Sequence, residues 1–145
     1  MYLVDTNVLS AGAPAKRASA EFIAWMDAQS ALLWLSAVTV VEIEDGIAKL
    51  RREGATRRSA DLTAWLEAAL HLYGERILPL DTPTARIAGA LSDRARAEGH
   101  APGLADVIIA ATAKRRGLTI LSRNIRHFAP LGVAALDPFD VLPPA

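Results

Sequence analysis

"MYLVDTNVLS", residues 1–10, is the stretch on which the fold turns. Tyr2, Leu3 and Val4 form a short apolar run, and Asp5 follows at once with Thr6 and Asn7 behind it. An apolar run that does not alternate reads as a strand covered on both faces, the habit of parallel sheets. A carboxylate at the end of such a strand is costly to bury unless something pairs with it. Its presence there asks for a reason beyond packing.

Working outward, the same pattern recurs. "ALLWLS" (31–36), "RILPLD" (76–81), "LTILS" (118–122) and "VAAL" (133–136) are further solid apolar runs that read as strands. Between them lie helical patterns. Phe22, Ile23, Trp25 and Met26 fall at helical spacing within 19–29, and Val41, Ile43, Ile47 and Leu50 do so within 37–54. Leu62, Trp65, Leu66, Ala69, Leu70 and Tyr73 make one stripe that Gly74 ends. Residues 82–99 have Pro83 near the first helical position and Gly99 just past the end, the usual asymmetry. "GLADVIIAATAKRRG" (103–117) is an apolar helix stopped by Gly117, and the tail "PFDVLPPA" is too proline-rich to continue an element. Strands alternating with helices predict an α/β fold: a central, mostly parallel sheet with helices on both faces, in three layers α/β/α. With 145 residues, no repeat and no linker, the whole of 1–145 is expected to be one domain.

Composition narrows the function. Lys plus Arg is 16 and Asp plus Glu is 16, so overall charge gives no pull toward a polyanion. Two local basic clusters stand out, Lys49–Arg51–Arg52 with Arg57 and Arg58, and Lys114–Arg115–Arg116; cations of this kind also suit the last turn of a helix. There is no cysteine, which excludes disulfides and thiolate zinc sites. His71, His100 and His127 are scattered, with no HExxH pair. No charged stretch followed by an apolar run opens the chain, and no run approaches the ~20 residues that span a bilayer. No membrane association and a cytoplasmic location are the expectation.

The carboxylates carry the chemistry. In parallel α/β sheets ligands bind outside the carboxyl ends of the strands, where strand order reverses. Asp5 ends one strand and "SRN" (122–124) ends another, so both project to one edge. Glu42 lies in the helix after the second strand, and Asp106 lies in the first turns of an otherwise uncharged eleven-residue stretch, 103–113. Three acids at one edge repel each other. A divalent cation resolves that repulsion, and oxygen ligands favour Mg²⁺ or Mn²⁺. Each acid also has a plain structural reading. Asp5 is a good helix N-cap, Thr39-Val40-Val41-Glu42 fits a capping box, and Asp106 suits a helix N-terminus.

At this point the chain resembles a family. "VDTNVLS", "SAVTVVEIEDGI", "GLADVIIAATA" and "LTILSRNIRHF" are similar, in order and spacing, to the four sequence blocks of PIN-domain endoribonucleases, and most of all to the VapC and FitB toxins of toxin–antitoxin pairs. The resemblance spans nearly the whole chain. It implies a single PIN-like domain acting as a Mg²⁺- or Mn²⁺-dependent ribonuclease on RNA, held inactive by a small cognate antitoxin. A homodimer and a heteromer with the antitoxin are the implied assemblies. Carried over by position, Asp5, Glu42 and Asp106 match the catalytic and metal-binding acids. Thr6 and Asn7 match residues that orient the first acid and, with Ser122 and Arg123, are the candidate substrate contacts. Family members often carry a fourth acid after the arginine of the last block or three residues further on. Here Asn124 and His127 hold those places. Asn124 offers a carbonyl oxygen to a metal but no charge. Arg123 suits either a phosphate or a surface ion pair, and His127 either substrate or the edge of a short helical turn.

Two other readings stand beside this one. A haloacid-dehalogenase-like phosphatase also opens with an apolar strand ending in Asp, but its motif needs a second Asp where this chain has Asn7. A non-catalytic PIN-like domain that only binds a partner would have no use for Asp5, Glu42 and Asp106 together.

Overall fold

In the computed structural model, which describes residues 1–144, the chain alternates strand and helix from the start. The elements are β1 (Tyr2–Val4), α1 (Thr6–Leu9), α2 (Ala20–Ala28), β2 (Leu33–Ser36), α3 (Ala37–Arg52), α4 (Thr56–Tyr73), β3 (Ile77–Leu78), α5 (Thr82–Ala97), α6 (Leu104–Arg116), β4 (Thr119–Leu121), α7 (Ile125–Phe128) and β5 (Ala135–Leu136). The five strands form one sheet in the order β3-β2-β1-β4-β5, and every described pairing is parallel. The expected α/β architecture is therefore observed, with a sheet that is parallel throughout.

Successive residues of a strand face opposite ways, and this chain fills both sides with apolar groups. Leu3, Ile120 and Trp34 pack with α5 and α6, whose Leu91, Val107 and Ala110 belong to the same cluster. Val4, Leu121, Leu33 and Leu35 pack on the other face with Phe22, Ile43, Ile47 and Leu66 of α2, α3 and α4. Both faces being covered explains why the strands read as solid apolar runs. Helix α6 is buried from Val107 to Ala113, which is why it carries no charge there.

Four strands are shorter than their apolar runs: 118–122 yields Thr119–Leu121, 133–136 yields Ala135–Leu136, and β2 and β3 are cut back as well. Residues 30–32 form a 3₁₀ turn, and β2 begins only at Leu33. The run 76–81 yields only Ile77–Leu78. Arg76 sits in a 3₁₀ turn and donates to the carbonyls of Leu33 (2.8 Å) and Leu72 (2.9 Å), and Pro79 has no N–H with which to extend the ladder.

The topology puts the site in place. The chain moves outward from β1 through β2 to β3, then returns to the other side of β1 for β4 and β5. The reversal lies between β1 and β4, so the crevice at their carboxyl ends is where a ligand is expected. Helix α3 follows β2 and starts at that edge; α6 precedes β4 and, running against it, also starts there.

Candidate active site

Asp5 leaves β1 at this crevice. Its backbone N–H donates to Leu121 O (2.9 Å), which ties the end of β1 to the end of β4. Its side chain is buried, with 5% of its surface exposed. Oδ1 accepts from the backbone N–H of Thr6 (2.8 Å), so the N-cap reading of Asp5 holds as well. Oδ2 accepts from the Ser122 hydroxyl (2.7 Å) and from Asn7 Nδ2 (3.2 Å). Asn7 Oδ1 in turn accepts from the backbone N–H of Arg123 (3.1 Å), and Ser122 Oγ accepts from the N–H of Asn124 (2.9 Å). Five of the sequence-derived residues, Thr6, Asn7, Ser122, Arg123 and Asn124, thus form one network around a single carboxylate.

Glu42 joins through Thr6, whose hydroxyl donates to Glu42 Oε1 (2.6 Å). The capping box expected of Thr39 and Glu42 does not form. Helix α3 starts three residues earlier, at Ser36, whose hydroxyl accepts from the N–H of Val38. Thr39 is instead fully buried, its Oγ1 3.3 Å from Thr6 Oγ1, and sequence reading gave it no place in the site. Its signal was a hydroxyl one turn before Glu42, masked by the capping pattern.

Asp106 lies in the first turn of α6. It pairs with His127, Nδ1 to Oδ2 at 3.0 Å. His127 is on the short helix α7, as expected, yet it also holds one of the acids. Arg123 makes no ion pair among the described residues. Its guanidinium lies over the Phe139 ring, 4.7 Å from the centroid, and Phe139 stacks on Phe22. The Asn124 side chain is exposed beside the network.

The electrostatics follow from burial. Asp5 is held above the ordinary carboxylate range mainly by desolvation; the hydrogen bonds from Ser122 and Thr6 pull it down, and the charges of Asp106 and Glu42 push it up further. The three acids therefore share one field. Their donors are all oxygen, the set that suits Mg²⁺ or Mn²⁺. As the side chains stand, no three His, Asp or Glu groups among the described residues are close enough to ligate one ion together. The physical reason is visible. Glu42 and Asp106 are held by separate partners, Glu42 by the Thr6 hydroxyl and Asp106 by His127.

Residues 2–131 match the family described as PIN domain, and the chain belongs to that family. Within it the chain is similar to Toxin FitB of Neisseria gonorrhoeae, 34% identical over 143 residues that cover 96% of this chain and 99% of that protein. It is also similar to VapC ribonuclease Y4jK of Sinorhizobium fredii, 33% identical over 97% of this chain and 99% of that one. Among solved structures, the crystal structure of FitAcB from Neisseria gonorrhoeae superposes with a TM-score of 0.84 at 35% identity, covering 97% of this chain and all of that one. Family membership sets the phosphatase alternative aside.

Proposed function

We propose that this chain is the toxin of a toxin–antitoxin pair and acts as a metal-dependent endoribonuclease that hydrolyses RNA phosphodiester bonds. The observation that carries the reading is Asp5: a buried carboxylate at the switch point of a parallel sheet, held by Ser122, Asn7 and Thr6, with Asp106 and Glu42 acting on it. Burial of this kind costs stability, and it is explained when the acid has a cation to hold. The similarity to a named ribonuclease and a named toxin supports the activity and the role. The FitAcB likeness supports an antitoxin as partner.

Asp5 and Asp106 would hold Mg²⁺ or Mn²⁺, with Glu42 beside them and Asn124 as a neutral fourth donor. The ion supplies charge neutralisation at the phosphate and a lowered pKa for a water. The protein does the rest. Ser122 and Asn7 fix the Asp5 rotamer, and the Thr6 hydroxyl holds Glu42. Glu42 takes a proton from the water whose oxygen bonds to phosphorus, while the bond from phosphorus to the departing ribose oxygen breaks in line and that oxygen takes up a proton from solvent. The backbone N–H groups of Arg123 and Asn124 are already used within the network and that of Ser122 donates to Leu136 O, so they steady the site and do not bind substrate. The test is cleavage of a defined single-stranded RNA by the purified chain with Mg²⁺, with Mn²⁺ and with EDTA. Metal-dependent cuts that vanish in Asp5→Asn and Asp106→Asn support the reading; metal-independent cleavage, or cleavage that survives both substitutions, overturns it.

A further inference from the structure

Beside Thr6 and Glu42 lies a cavity of about 290 Å³. One wall is the segment after α1 that ends in Lys16; another is the face of α3 that bears Glu42 and Gly46; the third is the face of α4 that bears Arg58, Asp61 and Trp65. The volume is at the lower end of small-ligand sites, roughly 300–1,000 Å³. It accepts one nucleoside-sized group and is too small for a helix.

Gly46 is the informative wall residue. Glycine inside a helix destabilises it relative to alanine, and Gly46 is near the middle of α3. A Cβ built there meets nothing within 4 Å, so no neighbour in the folded chain demands glycine. What its missing side chain leaves is open space, one helical turn along from Glu42.

The rim has a sign. Lys16 and Arg58 are exposed, and neither is ion-paired among the described residues. Two free cations at a groove continuous with the acidic site suit the phosphates on either side of a bound nucleotide. The half-buried Trp65 offers aromatic surface to an unpaired base, the usual way single-stranded RNA is gripped. Asp61 repels phosphate but accepts from an exocyclic amino group.

We infer that this cavity is the subsite for one unpaired nucleotide next to the bond that is cut, and that Asp61 favours an amino-bearing base there over uracil. The inference rests on the ribonuclease reading above and adds to it where the strand runs and what is read.

The experiment uses single-stranded RNA oligonucleotides that differ only in the bases flanking one cut. Cleavage by the purified chain gives kcat and KM, and fluorescence anisotropy without metal gives binding. Gly46→Leu is expected to melt no lower than wild type, to weaken oligonucleotide binding and to raise KM about tenfold, the scale of one lost stacked base, with kcat little changed. Asp61→Ala is expected to lose the discrimination against uracil. Wild-type KM and binding in Gly46→Leu overturn the subsite. So does a Gly46→Leu chain that cuts RNA normally yet escapes silencing by its antitoxin, since the cavity then belongs to the antitoxin. A wild-type chain that cuts no RNA with either metal overturns the ribonuclease reading itself, whereas anisotropy still reports whether this groove binds the strand.

Discussion

At the scale of the residue, Asp5 shows how a functional carboxylate is kept in a core. Burial raises its pKa above 3.8, the Ser122 and Thr6 hydrogen bonds limit the rise, and Asp106 and Glu42 add to it. The sign for stability follows. A folded-state pKa above the unfolded one gives stability that is fully present below the ordinary carboxylate pKa and is lost as pH rises through the raised value. Melting the metal-free chain from about pH 4 to about pH 8 should show wild type losing stability relative to Asp5→Asn, and Mg²⁺ should restore it at the upper end. Identical pH profiles for the two chains would mean that Asp5 carries no such penalty. Asp106→Asn should reduce RNA cleavage to below about a hundredth of wild type, the scale of removing one electrostatic stabiliser, while the far-UV spectrum stays native. It should also abolish most of the Mg²⁺-induced rise in melting temperature. Asn124→Asp should do the reverse, tightening divalent binding and lowering the metal-free melting temperature, because it returns a fourth charge to a cluster that repels itself. Equal metal response in wild type and Asn124→Asp would remove that side chain from the site.

At the scale of the element, the start of α5 is tied to the end of α6, the end remote from Asp106. Asp81 caps α5 by accepting from the N–H (3.0 Å) and hydroxyl (2.6 Å) of Thr84, and Arg115 at the end of α6 donates to its other oxygen. These bonds, led by those from Thr84, hold the Asp81 carboxyl down at about 2. Its contribution is present above the ordinary carboxylate pKa and is lost as pH falls toward about 2. Asp81→Asn should therefore melt lower than wild type at neutral pH, and the two should converge in acid; a constant gap would assign the effect to packing. Helix α3 gives the opposite case. Gly46→Ala should raise stability by up to about 1 kcal/mol, or about 2–4 °C in melting temperature, because the added methyl meets no neighbour. A lower melting temperature would show that the α3 wall does not tolerate a side chain.

At the scale of the whole molecule, the exposure of Ile23 (37%) on α2 and Val41 (63%) on α3 leads us to propose a homodimer. Light scattering of the antitoxin-free chain should give twice the 15.5 kDa protomer mass; one protomer mass at every usable concentration would refute it. No helix among the described residues is long and apolar enough to cross a membrane. The sequence by itself determined the fold class, because strands covered on both faces cannot alternate and so advertise a parallel sheet as solid apolar runs. It also picked out Asp5 and Asp106, since a charge in an apolar run is visible without coordinates. Only the tertiary structure decided the partners. That Ser122 reaches Asp5 across 117 positions, that Thr6 turns Glu42 away from a capping box, and that His127 takes Asp106 depend on which strands lie side by side and where each helix begins. Those are set by long-range packing of α5 and α6 on one face and α2 to α4 on the other, and residue spacing carries no record of it.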